Sequence, residues 1–200
     1  MPPSSRDIDL SRAHVEARIR AHRPNSTRRF GSRRSAVACV LRYERAAPDV
    51  LLMKRAERPG DRWSGQVSFP GGREDERDDD LQATAIRETR EEMGIDLLAH
   101  TRFIGRLRTI RARARGGVLP LTVTPFVFVQ ERPFTVQLND EAVASFWLPL
   151  DQAASGQLSA EYHYKAGPMT MKLPSWRYGD NVVWGLTYKM LENLLDVIRT

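Results

Sequence analysis

Residues 71–94 read GGREDERDDDLQATAIRETREEMG, a glycine pair followed by acidic residues and a stretch without Gly or Pro until Gly94. Within this stretch, Glu88, Glu91 and Glu92 occupy positions i, i+3 and i+4, which lie on one face of a helix. Like charges at this spacing repel one another unless a cation neutralises them. Carboxylate oxygens select hard ions, so the pattern predicts a site for Mg²⁺ or Mn²⁺.

The same stretch predicts a helix from about Asp79 to Met93. Acidic residues in a first turn complement the helix dipole, and the glycine that follows supplies a C-terminal stop. Ile86, Thr89 and Met93 fall on a stripe that can face the core, next to the glutamate stripe. Three acidic residues around the start of the helix are expected to interact with its dipole and to lie in a solvated turn: Asp78, Asp79 and Asp80.

The chain has 200 residues, enough for one domain with a substantial core. It contains no apolar run of membrane-spanning length and no N-terminal stretch typical of a secretory signal. The Arg-rich N-terminal arm is similar to an organelle transit peptide, but Asp7, Asp9 and Glu16 interrupt it. We therefore expect a cytoplasmic protein with an N-terminal helix and basic linker at 1–34 and the main domain at 35–200.

The net charge indicates the class of partner, and the cysteine content indicates whether an internal disulfide can form. The formal net charge is +6, which favours anionic partners of some kind. The single cysteine, Cys39, lies in an apolar run and cannot form an internal disulfide. A buried thiol in a strand is the expected environment of this residue.

Apolar runs and turn residues indicate the remaining elements. Strands are predicted at 35–43, 50–53, 67–69, 103–107, 119–129 and 142–148, with further helices at 9–21 and 183–198. The intervening segment 106–117 is basic and is predicted to be a loop or hairpin. Because strands and helices mix without strict alternation, we expect an α+β domain or a layered α/β/α sandwich with a mixed sheet.

Residues 87–95, RETREEMGI, resemble the signature of the Nudix hydrolases at every required position except Thr89, where the family has an apolar residue. The resemblance implies the Nudix fold, a mixed sheet between helices, and hydrolysis of a pyrophosphate bond. Upstream of this segment, the gap from Gly72 to Arg87 is one residue longer than in the usual signature. An aspartate, Asp78 or Asp79, stands where the signature has a glutamate.

That variation is similar to the branch of the family that hydrolyses coenzyme A. Three further segments resemble the same branch, at 51–56, 65–72 and 184–187. The segment before Gly65 departs from the branch's pattern, and either Arg58 or Arg62 takes the place of its arginine. The resemblance implies hydrolysis of coenzyme A or acyl-CoA to 3′,5′-ADP and 4′-phosphopantetheine or its acyl derivative.

The resemblance also implies roles for individual residues. Glu88, Glu91 and Glu92 would form the metal shell, with the backbone carbonyl of Gly72 as a further ligand. Arg87 precedes Glu91 by four positions, so an intrahelical ion pair that orients this carboxylate is expected on helix geometry and in the family alike. Arg87 and the three glutamates together are the predicted catalytic residues.

The general base is left open between a helix glutamate and Glu141, because family members differ in this respect; an acidic turn residue is the plainer account of Glu141. The guanidinium group gives two parallel hydrogen bonds to phosphate, which makes arginines near the glycine turn candidates for substrate contacts. The predicted substrate site comprises Arg55, Arg62, Arg73 and Glu141.

Two other groups of side chains have competing interpretations. The arginines of segment 106–115 either clamp a 3′-phosphate or form a solvated basic hairpin. Trp63, Trp176 and Tyr178 are candidates for stacking on an adenine, whereas Trp147 and Trp184 lie in apolar patterns and are expected in the core.

Two alternative functions are weighed against coenzyme A hydrolysis. The first is the same chemistry on NADH, ADP-ribose, a dinucleoside polyphosphate or a nucleoside triphosphate. The second is nucleic-acid binding on the same scaffold, which the intact glutamate triplet and the missing aromatic RNA signatures argue against. We therefore expect a small nucleotide-conjugate substrate, neither membrane nor nucleic acid as a partner, and leave a homodimer open.

Overall fold

The computed structural model describes residues 8–24, 33–60, 63–114 and 117–200. The helices are α1 (Arg12–Ala21), α2 (Leu81–Met93), α3 (Leu97–His100), α4 (Leu150–Ala154) and α5 (Gly185–Arg199). The strands are β1 (Arg33–Arg42), β2 (Asp49–Arg55), β3 (Val67–Ser68), β4 (Gly71–Arg73), β5 (Thr101–Arg106), β6 (Ile110–Ala114), β7 (Gly117–Gln130), β8 (Ala142–Pro149), β9 (Ser159–Ala166), β10 (Met169–Tyr178) and β11 (Asn181–Trp184).

Strand β1 lies at the centre of a mixed sheet, antiparallel to β2 and parallel to β7. In the described ranges the main path of this sheet is β3-β2-β1-β7-β5, with β4 paired to β1, β6 to β7 and β8 to β2. A smaller sheet has the order β11-β10-β9. The predicted mixed sheet is confirmed, and the basic segment before β7 is a hairpin because β6 pairs with β7.

The two faces of β1 bury different sets of side chains, because successive residues of a strand point to opposite faces. Val37, Cys39 and Leu41 belong to the core cluster shared with α1 and α5. Ala36, Ala38 and Val40 belong to the cluster shared with α2. The sheet therefore lies between helices, as the predicted sandwich requires. Cys39 is fully buried, as expected, and burial raises the pKa of its thiol.

Helix α2 confirms the prediction for its region and explains the unusual Thr89. The carboxylate of Asp80 caps the helix by accepting a hydrogen bond from the Ala83 N–H at 2.8 Å. Gly94 ends the helix in the left-handed conformation, at φ 67°. Thr89 is buried, and its hydroxyl donates to the Ala85 carbonyl at 2.7 Å, so a polar residue is accommodated where the signature has an apolar one.

In the C-terminal third, one prediction is corrected and one hairpin was not predicted. The predicted helix at 183–198 begins later, since Val183 and Trp184 end strand β11 and Gly185, at φ 65°, starts α5. Val183 is buried, so its hydrophobicity matched the helical period although it lies in a strand. The hairpin formed by β9 and β10 was missed, because its residues are largely exposed and carry no continuous apolar run.

Helix α1 packs against α5 and β5, with Val15 and Ile19 buried in the shared core. Residues 1–7 and 25–32 lie outside the described ranges, and the division at residue 34 stays a prediction. None of the helices in the ranges given above is both long and apolar enough to span a membrane.

Candidate active site

Glu92 is the most deeply placed acid of helix α2. Its side chain is almost fully buried, and one carboxylate oxygen, Oε2, accepts a hydrogen bond from the Gly71 N–H at 2.8 Å. Burial raises the pKa of Glu92 to about 8; the hydrogen bond from Gly71 opposes this shift and the charge of Glu88 adds to it. A carboxylate held in this environment is stabilised by any cation that replaces the proton.

Glu88 lies directly against the backbone of the glycine turn. A Cβ at position 72 would lie 2.4 Å from Cδ of Glu88, so only glycine allows this close approach. The neighbouring Gly71, at φ 145°, has a similar restriction, because a Cβ there would lie 2.3 Å from the Ala36 carbonyl oxygen. Because these two residues of β4 have no side chain, the backbone of this strand fits between β1 and the glutamates of α2. Burial also raises the pKa of Glu88, against the effect of the Arg87 charge.

Arg87 connects the glutamate helix to the acidic turn before it. The predicted ion pair with Glu91 is present, at 3.1 Å between Nη1 and Oε2, and the same nitrogen donates to Glu88 at 2.9 Å. The other two guanidinium nitrogens donate to Asp78, and Nη2 also donates to the Arg73 carbonyl. These contacts hold the pKa of Asp78 well below its usual range and raise the pKa of Arg87.

The prediction that the three aspartates lie in a solvated turn is wrong for Asp78. Its side chain is only 4% exposed and also accepts hydrogen bonds from the Thr84 hydroxyl and the Asp75 N–H. The residue is thus a buried structural partner of Arg87. Asp80 is the helix cap described above, and Asp79 is exposed.

A cavity of about 520 Å³ opens in front of the glutamates. Glu88, Glu91 and Glu92 line it together with the predicted substrate residues Arg55, Arg73 and Glu141. Its remaining surface includes an apolar wall, formed by Leu121, Val123, Leu186 and Met190. The fold therefore joins a concentrated acidic face, arginines and an aliphatic surface in one cavity. We call it the catalytic cavity below.

The described residues do not include every predicted contact. Arg62 lies outside the described ranges. The alternative arginine, Arg58, extends toward Glu141, with 3.6 Å between Nη1 and Oε1, and donates to the Asp140 carbonyl at 3.1 Å. Arg106, Arg108 and Arg111 are exposed and none of these three lines the catalytic cavity, which favours a solvated hairpin over a phosphate clamp. Arg115 lies outside the described ranges, and the Arg113 side chain is not described.

The aromatic predictions are partly reversed. Trp63 lines the catalytic cavity, but Trp176 is a core residue, 2% exposed and in edge contact with Tyr188. Tyr178 stacks on Phe146. Trp184 was expected in the core, yet it is only half-buried and lines a second cleft. The apolar pattern around Trp184 in the sequence did not reveal that its side chain is partly exposed.

The donor set suits a hard cation. Glu88 and Glu92 present carboxylate oxygens beside a glycine turn that leaves the main chain accessible, and oxygen ligands of this kind match Mg²⁺ or Mn²⁺. Across the part of the chain that the structure describes, no three His, Cys, Asp or Glu side chains are grouped so as to hold a metal ion as they stand. Glu88 and Glu91 contact Arg87 in this arrangement and would have to turn from it to ligate.

The fold and the glutamate helix over a glycine turn define the class of protein, and comparison with known proteins identifies it. A family model, the NUDIX domain, matches residues 32–170, which is most of the chain. The chain therefore belongs to the Nudix hydrolases, and it is a pyrophosphohydrolase of that family. This finding confirms the resemblance drawn from residues 87–95.

Individual relatives extend over nearly the whole chain. The mitochondrial coenzyme A diphosphatase NUDT8 of Homo sapiens is 32% identical over 196 residues, covering 95% of this chain and 80% of the relative. The uncharacterised Nudix hydrolase NudL of Salmonella dublin is 34% identical over 196 residues, covering 94% of this chain and 96% of the relative. A crystal structure of a C. elegans Ap4A hydrolase binary complex shares the fold, with a TM-score of 0.51 at 23% identity over 62% of this chain and 84% of that chain.

Proposed function

We propose that this protein hydrolyses the pyrophosphate bond of coenzyme A or acyl-CoA, with Mg²⁺ or Mn²⁺ as cofactor. The products are 3′,5′-ADP and 4′-phosphopantetheine or its acyl derivative. The observation that carries the proposal is the combination of Glu88 and Glu92 against a glycine turn with an aliphatic wall in the same cavity. The name of the human relative supports the choice of substrate.

Each group of side chains has a separate task in this reaction. Glu88, Glu91 and Glu92 would hold the cation together with the Gly72 carbonyl. Bound there, the divalent ion supplies Lewis acidity toward the pyrophosphate oxygens. Arg55 and Arg73 line the cavity and neutralise phosphate charge through their guanidinium forks.

Hydrolysis adds water to phosphorus and breaks the bond to the bridging oxygen, so a base must accept the proton of the attacking water. Glu141 lines the catalytic cavity, and its side chain is 44% exposed, which leaves the carboxylate accessible to water. Glu92 is buried and accepts a hydrogen bond from the Gly71 N–H, an environment suited to holding a metal ion. We therefore assign the base to Glu141 and the helix glutamates to the metal.

The aliphatic wall favours a substrate with an uncharged arm. Leu121, Val123, Leu186 and Met190 can bury the pantetheine chain and its acyl extension, which a nucleoside triphosphate lacks. The cytoplasmic location and a homodimer stay predictions, and one relative is named as mitochondrial.

Product analysis by mass spectrometry tests the proposal. The purified protein is incubated with Mg²⁺ and coenzyme A, in parallel with Glu92→Gln and with the exposed control Glu76→Gln. We expect phosphopantetheine from the unmodified protein and the control, and a rate lower by about a hundredfold or more for Glu92→Gln. Turnover of ADP-ribose or NADH with none of coenzyme A would overturn the substrate assignment while leaving the family unaffected.

Metal binding needs its own measurement. Thermal unfolding in EDTA and in Mg²⁺ or Mn²⁺ should show stabilisation by either ion in the unmodified protein. Glu92→Gln should lose this increase in Tm, whereas Glu76→Gln should keep it. An equal increase in all three proteins would place the ion elsewhere.

A further inference from the structure

A second cleft, of about 300 Å³, lies beside the catalytic cavity. Three aromatic rings line it, those of Tyr162, Tyr164 and Trp184, and we call it the aromatic cleft. Polar side chains complete its lining, including Lys54, Asp180 and Asn181. None of the residue roles assigned above involves these side chains.

The smaller sheet brings the three rings together. Tyr162 and Tyr164 are alternate residues of β9 and therefore lie on one face of the strand, whereas His163 between them faces the other way. Trp184 is the last residue of β11, and its ring stacks on Tyr162 with 4.1 Å between centroids and 17° between planes. Tyr164 lies 5.5 Å from the same indole. All three side chains are only half-buried, so ring surface is exposed inside the cleft.

The aromatic cleft adjoins the catalytic cavity. Gln66 and Val67 line both spaces, so strand β3 is the partition between them. Thr187, at the start of α5, holds this partition in place by donating to the Val67 carbonyl at 2.9 Å. Along β2, Lys54 lines the aromatic cleft and the next residue, Arg55, lines the catalytic cavity. A molecule whose phosphates lie at Arg55 can thus extend past β3 into the cleft.

The residues that line the aromatic cleft suit a flat ligand group with polar atoms at its edge. Aromatic rings stack on nucleobases, and each base has a π face for this contact. The amide of Asn181 can both donate and accept, and the carboxylate of Asp180 accepts, which suits the mixed edge of a purine. The volume reaches the lower end of ordinary ligand pockets, about 300–1,000 Å³. An aliphatic arm matches instead the wall of Leu121, Val123 and Met190 in the other cavity.

We propose that the aromatic cleft binds the purine base of the substrate, while the aliphatic wall of the catalytic cavity takes the opposite arm. The assignment rests on the proposed function, because it needs a substrate with a nucleoside on one side of the pyrophosphate and an uncharged chain on the other. It gives the β9–β10 hairpin a role in recognition. It also predicts that the two products bind at separable places.

Calorimetric titration with each product tests the assignment. Adenosine 3′,5′-bisphosphate and 4′-phosphopantetheine are titrated separately into the unmodified protein, Trp184→Leu and Tyr164→Leu. Loss of one stacking partner should weaken bisphosphate binding by about tenfold or more and leave phosphopantetheine binding within twofold. Trp184→Phe keeps a flat ring and should restore most of the affinity. His163→Ala, on the opposite face of β9, is the matched control and should change neither affinity.

Steady-state kinetics separates this inference from the proposed function. With coenzyme A as substrate, Trp184→Leu and Tyr164→Leu should raise KM by a similar factor.

If the unmodified protein hydrolyses coenzyme A and both variants keep its KM and its bisphosphate affinity, the cleft assignment alone is wrong. If phosphopantetheine binding is weakened instead, the two arms are reversed and the assignment also fails. If the unmodified protein cleaves no coenzyme A, the proposed function fails and the assignment falls with it. Tyr164→Leu decides the matter should Trp184→Leu not fold, because Tyr164 lies on the edge strand β9.

Discussion

Arg87 and Asp78 form a two-pronged ion pair, with 2.9 Å from Nε to Oδ1 and 2.9 Å from Nη2 to Oδ2. The pair joins the middle of helix α2 to the turn that precedes the helix. Because the remaining nitrogen, Nη1, contacts Glu88 and Glu91, the position of Asp78 determines how the guanidinium meets the glutamates. Asp78 is not among the residues that line the catalytic cavity, and it positions the acidic face of that cavity through Arg87.

Asp78→Asn should weaken both the fold and the activity. The amide offers one acceptor and turns a donor toward the guanidinium, so the pair loses its charge and one hydrogen bond. The Asp78 side chain is 4% exposed and that of Arg87 is 25% exposed, which places the expected loss at about 2 kcal/mol, below the roughly 3–5 kcal/mol of a fully buried pair. Urea unfolding and kcat are the measurements. Asp75→Asn, whose side chain pairs with the largely exposed Arg77, is the control and should behave like the unmodified protein.

Stability of the metal-free protein should fall as the pH rises toward 8. The pKa of Glu92 is raised to about 8 in the folded state, so the folded protein keeps a proton that the unfolded chain releases above its ordinary value of 4.5. The contribution is fully present below about pH 4.5 and is lost as the pH passes through about 8. Thermal unfolding in EDTA between pH 6 and 9 should therefore show a decline in Tm that Glu92→Gln lacks.

The same proton competes with the cation. Binding displaces one proton from Glu92, so affinity for Mn²⁺ should rise by about tenfold per pH unit below pH 8 and then level off. Titration calorimetry at several pH values measures this slope directly. An affinity for Mn²⁺ that stays constant between pH 6 and 8 would show that Glu92 does not carry the displaced proton.

Gly72→Ala should impair metal binding more than folding. The new Cβ would lie 2.4 Å from Cδ of Glu88, so this carboxylate must move away from the turn. Because the clashing atoms are the far end of a flexible side chain, the cost to folding should lie at or below the lower end of the roughly 1–3 kcal/mol that overpacking of a core costs. We expect Mn²⁺ affinity to fall by about tenfold or more, measured by calorimetry. The double variant Gly72→Ala/Glu88→Ala removes the clash and should recover the lost Tm without recovering affinity; failure to recover would locate the strain elsewhere.

Glu141→Gln should lower kcat by about 10²–10⁴-fold if this residue accepts the proton of the attacking water. Metal affinity should stay within twofold, because the glutamates of α2 are unchanged. Arg58→Ala removes the cation 3.6 Å from Glu141 and should have a smaller effect on kcat. An unchanged kcat in Glu141→Gln would move the base to a glutamate of α2.

Much of the local structure follows from short-range patterns in the sequence. The helix at 81–93, its glycine stop and the Arg87–Glu91 pair depend on spacing within a few turns, and each was predicted. The buried Cys39 followed from its apolar run. Strand β11 was misassigned because a buried Val183 fits a helical period as well as a strand. Local periodicity cannot distinguish a helix from a strand over a segment as short as Val183 and Trp184.

The signature at 87–95 was sufficient to indicate the Nudix family, since that chemistry depends on carboxylates carried by one helix. The burial of Asp78, the raised pKa of Glu92 and the neighbouring aromatic cleft depend on contacts between residues far apart in the chain. Gly71 meets Glu92 twenty-one positions away, and Trp184 meets Tyr162 through the pairing of β9, β10 and β11. Desolvation and cavity shape arise only when those strands and helices pack, and for that reason the tertiary structure alone decided the electrostatics and the outline of the site.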